Sequence, residues 1–132
     1  MDRPPAIDAK LVSEFVIAAH ANLEKVQEML DAEPGLLNAA WDWGGGDFET
    51  GLGSAAHMGR RDIALFLLDR GAHMDIFTAA MLGEVEIVRA ILAATPAALT
   101  SKGAHGIPLI VHARQGGAQA EGVVALLEGM NG

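Results

Sequence analysis

The sequence contains no cysteine among its 132 residues. Disulfide bridges, thiolate metal sites and a cysteine nucleophile are therefore excluded. Long apolar runs are also missing, since no stretch approaches the length of a transmembrane helix. The first ten residues, MDRPPAIDAK, lack the apolar core of a signal peptide. These absences predict a soluble cytoplasmic protein with no membrane partner.

Basic residues are scarce. The chain has 9 Lys and Arg against 17 Asp and Glu, a formal net charge of -8. The basic residues are scattered, and their longest run is Arg60-Arg61. Because phosphate binding depends on clustered Lys and Arg, nucleic acid is not an expected partner. The length and the 51% apolar content predict one folded domain, residues 1–132.

What the sequence does contain is internal similarity. Residues 14–30, 52–68 and 76–92 align without gaps, and a fourth segment starts at Leu109 and resumes over residues 123–127. At one aligned position all four segments have alanine, and such a position marks places where two backbones approach closely. Three residues later, a small residue or glycine is suited to end a short helix. The first column holds Ala18, Ala56, Ala80 and Ala113, and the second holds Ala21, Gly59, Gly83 and Gly116.

A second apolar set follows each turn at spacings of three and four, which is one face of a helix. Each unit is therefore expected to be a short helix, a tight turn and a second helix. Neither helix can bury its apolar face alone, so the units must stack. The predicted helices are Asp8–His20, Leu23–Ala32, Gly53–Met58, Arg61–Arg70, Ile76–Leu82, Val85–Ala94, Leu109–Gln115 and Ala120–Gly129.

The stretch TGLGSAAHMGRRDIALFLLDRGAHMD, Thr50 to Asp75, resembles an ankyrin repeat, whose period is about 33 residues. It departs from the family pattern at Gly51 and Gly53, which stand for the usual Pro and His. A second stretch, HGIPLIVHA, residues 105–113, keeps the Gly, Pro and Leu of the pattern. The resemblance implies an all-α ankyrin-repeat solenoid of about four helix-turn-helix repeats. Their approximate bounds are 8–38, 39–75, 76–102 and 103–132.

The spacing between repeats is irregular. Successive alanines of the first column lie 38, 24 and 33 residues apart. Nothing separates Asp75, at the end of one repeat, from Ile76, at the start of the next, so the β-hairpin finger expected there is missing. The extra residues before the second repeat fall in WDWGGGDFE, residues 41–49, which predicts an enlarged finger.

The glycines of this finger, residues 44–46, lack the preceding strand and following G-K-[ST] of a phosphate loop. Neighbouring acids such as Asp42 and Asp47 would repel an anion, and on an exposed tip they are expected to be solvated. We therefore expect a flexible hairpin tip, with no cofactor and no paired catalytic carboxylates.

None of the five histidines shows the close spacing of zinc ligands, so they are expected to be surface imidazoles, with no metal site. His20 and His57 occupy nearby columns of adjacent repeats and could be neighbours. His112 lies in an apolar column and is expected to be partly buried and hydrogen-bonded. No catalytic residue is predicted.

The ankyrin resemblance implies that the residues after the double alanine face a concave groove and contact a partner. It assigns His57, Met58, Met81 and Leu82 of the second and third repeats to that groove. The equivalent residues of the first and last repeats are Ala19, His20, Arg114 and Gln115. The finger adds Trp43, Asp47 and Glu49, whereas Trp41 is expected to pack inward. The predicted function is a non-catalytic protein–protein interaction module. The alternative is a small ligand-binding or metal-dependent enzyme that uses His57, His112 and the finger acids.

Overall fold

The computed structural model describes residues 3–131, so residues 1, 2 and 132 of the predicted domain lie outside the described part. The described chain is mostly helical, which confirms the helical class predicted from the sequence. None of its helices is long and apolar enough to cross a membrane. The α-helices are α1 (Ala9–Ala18), α2 (Leu23–Ala32), α3 (Gly51–His57), α4 (Arg61–Asp69), α5 (Ile76–Leu82), α6 (Val85–Ala94), α7 (Leu109–Gln115) and α8 (Glu121–Asn131).

The other elements are short. Strands β1 (Ala40–Asp42) and β2 (Phe48–Thr50) pair antiparallel, with Trp41 opposite Glu49. Four 3-10 turns cover Pro34–Leu36, Pro96–Thr100, Ala104–Gly106 and Gly117–Ala120.

The α-helices pack as four successive pairs. Within each pair the two helices contact each other, as α1 contacts α2 and α3 contacts α4. The first helices of neighbouring pairs also contact one another, in the order α1, α3, α5, α7. This row of first helices brings the ends of α1 and α3 together, and with them His20 and His57.

The same helix–turn–helix geometry occurs in the second and third pairs. The turns pass through Gly59 (φ 67°) and Gly83 (φ 80°), in the left-handed region that favours glycine. The N–H of Arg60 donates to Ala55 O, and the N–H of Glu84 donates to Ala79 O, both at 2.9 Å. The predicted glycine helix ends are confirmed at these two turns. In the fourth pair α7 also ends before Gly116, but Gly116 has φ -72° and the positive φ falls on Gly117.

Predicted and observed helix bounds agree for α2, α5, α6 and α7. The differences elsewhere have local causes. Helix α3 starts two residues early because the Thr50 hydroxyl accepts a hydrogen bond from the N–H of Gly53 and caps it. Helix α1 starts after Asp8, which is its N-cap, and ends at Ala18 in a turn. Helix α8 runs from Glu121 to Asn131, since residues 117–120 form a 3-10 turn.

Two clusters of buried apolar side chains form the core. One is built mainly on α1 to α4, and the other on α5 to α8. Three alanines of the predicted column, Ala56, Ala80 and Ala113, have no exposed surface, whereas the fourth, Ala18, is partly exposed and its neighbour Ala19 is buried instead. Space between neighbouring first helices is tight: a Cβ added at Gly116 would lie 2.1 Å from Met81 O. Small residues are therefore required where these backbones meet.

The hairpin of residues 40–50 has the enlarged turn that the sequence predicts. Gly44, Gly45 and Gly46 all have positive φ. The Asp42 carboxylate accepts hydrogen bonds from the N–H groups of Gly44 and Gly46 and closes the turn. No strand lies in residues 71–75 between α4 and α5, where the sequence predicts a missing finger.

Three groove assignments are wrong. Met81 and Leu82 are buried, at 1% and 4% exposure, because α5 lies inside the row and contacts α3, α6 and α7. Ala19, also expected to face the groove, has no exposed surface. It packs beside Gly51, where an added Cβ would lie 3.5 Å from the Ala19 Cβ.

Enlarging the buried alanines should destabilise the protein. Ala56→Leu and Ala80→Leu are each expected to lower the free energy of unfolding by about 1–3 kcal/mol, because a packed helix contact must open. Chemical denaturation measures this change. Ala90→Leu is the matched control, since Ala90 is exposed on α6. Equal midpoints for the three variants would contradict the packing described here.

Candidate functional site

The side chain of Glu49 is the centre of the candidate site. Side chains alternate along a strand, so in β2 Phe48 points outward at 61% exposure while Glu49 is buried at 2%. The Glu49 Oε1 accepts a hydrogen bond from the indole Nε1 of Trp43 at 2.9 Å. The Oε2 accepts one from the Nε2 of His57 at 2.8 Å. A carboxylate is thus buried among donors that satisfy it.

His20 and His57 reach Glu49 from the ends of two adjacent helices. Their Nε2 atoms are 3.2 Å apart, and the His20 Nε2 lies 3.4 Å from Glu49 Oε1. The His20 Nδ1 lies 2.9 Å from the carbonyl oxygen of Val16. A carbonyl oxygen only accepts, so Nδ1 is the donor. The expectation that these two histidines are neighbours is confirmed.

His105 enters the cluster from a distant loop, residues 101–108. Its backbone N–H and its Nδ1 both donate to the Asp47 carboxylate at 2.8 Å, and its Nε2 lies 3.5 Å from Glu49 Oε1. His105 has φ 61°, in the left-handed region that costs a non-glycine residue energy. The two bonds to Asp47 hold this conformation.

The electrostatics of the cluster centre on Glu49. Burial alone raises the pKa of this carboxyl, but hydrogen bonds from His20, His57 and Trp43 outweigh burial and hold the pKa well below its ordinary value of 4.5. In return, the interaction with Glu49 raises the pKa of His20 above 6.5 despite its burial. The carboxylate is therefore charged at neutral pH and attracts positive charge to the space between the rings.

A cavity of about 380 Å³ adjoins the cluster, and its lining includes Asp47, Glu49, Phe77 and His112. His112 is buried, at 2% exposure, and its Nδ1 donates to Pro108 O at 2.9 Å. This confirms the sequence expectation of a buried, hydrogen-bonded histidine. The alternative function placed His57 and His112 around one pocket. His112 and the two acids line the cavity, whereas His57 contacts it through Glu49.

Several expectations about these side chains are corrected. Asp47 and Glu49 are not solvated finger acids, because His105, His57 and Trp43 bind them. The side chains of His20 and His57 are 22% and 11% exposed, so they are not surface imidazoles.

The two tryptophans divide roughly as expected. Trp41 packs against the first core cluster, and Trp43 is 41% exposed. The indole N–H of Trp43 nevertheless bonds a buried acid, so this side chain has a structural contact that the sequence did not reveal.

The remaining predicted contact residues lie apart from the cluster. Met58, at the end of α3, is 46% exposed. Arg114 is exposed on α7, with Glu128 at 3.8 Å.

His105 is the functional candidate that the sequence did not identify. It follows Glu49 and His57 by many residues and belongs to no ligand motif. The sequence carries no local signal for this contact, which joins the 101–108 loop to Asp47 of the hairpin of residues 40–50.

Comparison of the chain with protein-family models, curated proteins and solved structures finds no match.

The buried His112 should make stability depend on pH. Burial lowers the pKa of its imidazole below 6.5 in the folded state. The unfolded chain therefore takes up the proton first, and this contribution to stability is complete above pH 6.5 and lost as pH falls below it. Between pH 7.5 and 5.5, wild type should lose up to about 1 kcal/mol more unfolding free energy than His112→Gln.

Urea denaturation at the two pH values measures this difference. His73→Gln is the control, because the His73 side chain is exposed, and it should keep the wild-type slope. An identical pH slope in His112→Gln and wild type would show that burial does not penalise the charged form of His112.

Proposed function

We propose that this chain is an ankyrin-type repeat solenoid, located in the cytoplasm, that binds a protein partner and has no catalytic activity. The observation that carries the proposal is the repeated turn at Gly59 and Gly83, with matching hydrogen bonds from Arg60 and Glu84. Successive first helices lie side by side, as stacked repeats require. The same residues carry the sequence resemblance to ankyrin repeats.

The proposed contact surface combines the hairpin with the exposed ends of α3 and α7. Phe48 and Met58 are exposed large apolar side chains, and Trp43 presents part of its ring. Aromatic residues and arginine are enriched among the residues that dominate interface energies, which favours Trp43 and Arg114 as contacts. The net charge of -8 suits a partner with a basic surface.

The second candidate is a small ligand-binding or metal-dependent enzyme. The cavity beside Asp47, Glu49 and His112 favours it. We rank it second because His105 and His57 already bind the two finger acids, so neither acid is free to act as a general base.

Affinity capture from a lysate of the source organism, followed by recombinant titration of the captured protein, tests the proposal. Phe48→Ala and Met58→Ala should each weaken binding by about tenfold or more, as loss of an interface contact does. Both side chains are exposed, so folding should be unaffected.

Leu65→Ala is the matched control. Leu65 is as exposed as Met58, at 46%, but lies on α4 outside the proposed surface. Its affinity should equal that of wild type. If all three variants bind equally, or Leu65→Ala alone weakens binding, the proposed surface is wrong.

A further inference from the structure

The nitrogen and oxygen atoms of the cluster have the separations of ligands around one ion. The Nε2 of His57 lies 2.8 Å from Glu49 Oε2 and 3.2 Å from the Nε2 of His20. The Nε2 atoms of His20 and His105 lie 3.4 and 3.5 Å from Glu49 Oε1. All four ligand atoms fall within 4.8 Å of one another. A tetrahedral ion with bonds of about 2.0–2.1 Å separates its ligands by about 3.3 Å.

The outer hydrogen bonds orient the imidazoles for this role. His20 donates its Nδ1 proton to Val16 O, and His105 donates its Nδ1 proton to the Asp47 carboxylate. When these two imidazoles are neutral, each therefore carries a lone pair on its Nε2, and that lone pair faces the centre of the cluster. Metal-binding histidines characteristically donate their second nitrogen to a carbonyl or carboxylate in this way.

The buried carboxylate has a supporting contact as well. The indole N–H of Trp43 binds Glu49 Oε1 and fixes the orientation of the group. The rings are held at angles to each other, with His57 edge-on to His20 at 5.0 Å and to His105 at 5.5 Å between centroids. Three nitrogens and one anionic oxygen therefore converge from different directions, and an ion bound there would replace the proton that His57 Nε2 donates to Glu49.

We propose that His20, Glu49, His57 and His105 form a divalent transition-metal site, with Zn²⁺ as the fitting ion. Imidazole nitrogen with one carboxylate is a donor set that suits zinc and its neighbours, whereas Mg²⁺ and Ca²⁺ require oxygen ligands. Four protein ligands complete a tetrahedron, which is the pattern of a structural site.

Such an ion would join four separate parts of the chain: the end of α1, strand β2, the end of α3 and the 101–108 loop. The loop contacts the hairpin through the side chain and the backbone N–H of His105, and its tip is exposed. The metal would therefore fix the loop to the hairpin and stiffen that side of the molecule. This role does not depend on the identity of any protein partner.

Titration of the chelator-treated, metal-free full chain with Zn²⁺ tests the proposal by calorimetry and by thermal melting. We expect one Zn²⁺ per chain, and a melting temperature raised by on the order of 10 °C at about 100 times the dissociation constant. Mg²⁺ should neither bind nor shift the melt. Substitution by Co²⁺ should give the intense visible absorption of four-coordinate cobalt.

Three variants test whether His105 is a ligand. His105→Ala lies on an exposed loop, so it should fold and lose at least tenfold in Zn²⁺ affinity. Asp47→Asn, which alters only the group that orients His105, should lose about 10–100-fold. His73→Ala removes an exposed histidine elsewhere and should bind as wild type does.

Glu49→Gln keeps the shape of the buried side chain and should also lose affinity; if it fails to fold, His105→Ala still decides the question. The proposal is overturned if wild type binds no stoichiometric Zn²⁺, if Mg²⁺ binds equally well, or if His105→Ala and His73→Ala retain the same affinity.

Discussion

A carboxylate placed in a protein interior must be matched by donors or positive charge, and Glu49 imposes that requirement on this molecule. An ionised carboxylate without partners carries a large desolvation penalty. Here Trp43 and His57 donate to it, and His20 and His105 lie within 3.5 Å. The hairpin, two helix ends and a distant loop thus depend on one another, because each supplies part of what the buried charge needs.

The connection between α4 and α5 is short, and residues 71–75 contain no strand. The 101–108 loop lies next to the hairpin of residues 40–50, where Asp47 holds His105 through two hydrogen bonds. This contact between distant segments completes the convergence of three imidazoles on one acid.

Much of the helical framework could be predicted from local patterns. The bounds of α5 and α6 follow from apolar spacing and from Gly83, whose positive φ ends the first helix of that pair. Burial of Ala56 and Ala80 follows from the recurrence of alanine at one position. These features depend on backbone geometry and on helix periodicity, both of which act over a few residues and are visible in a single chain.

The candidate site was only partly predictable. The alignment of the internal segments indicated that His20 and His57 are neighbours, whereas the resemblance to ankyrin repeats placed Met81 and Leu82 on the surface. Both are buried because α5 has neighbours on either side, which position within one repeat cannot show.

The sequence by itself determined the helices, the glycine turns, the enlarged hairpin and the excess of negative charge, because each results from local conformation or from composition. Only the tertiary structure decided that Glu49 is buried and that His105 reaches it. Those outcomes depend on which loops meet after the helix pairs have packed, and contacts between residues so far apart leave no periodic signal in the chain.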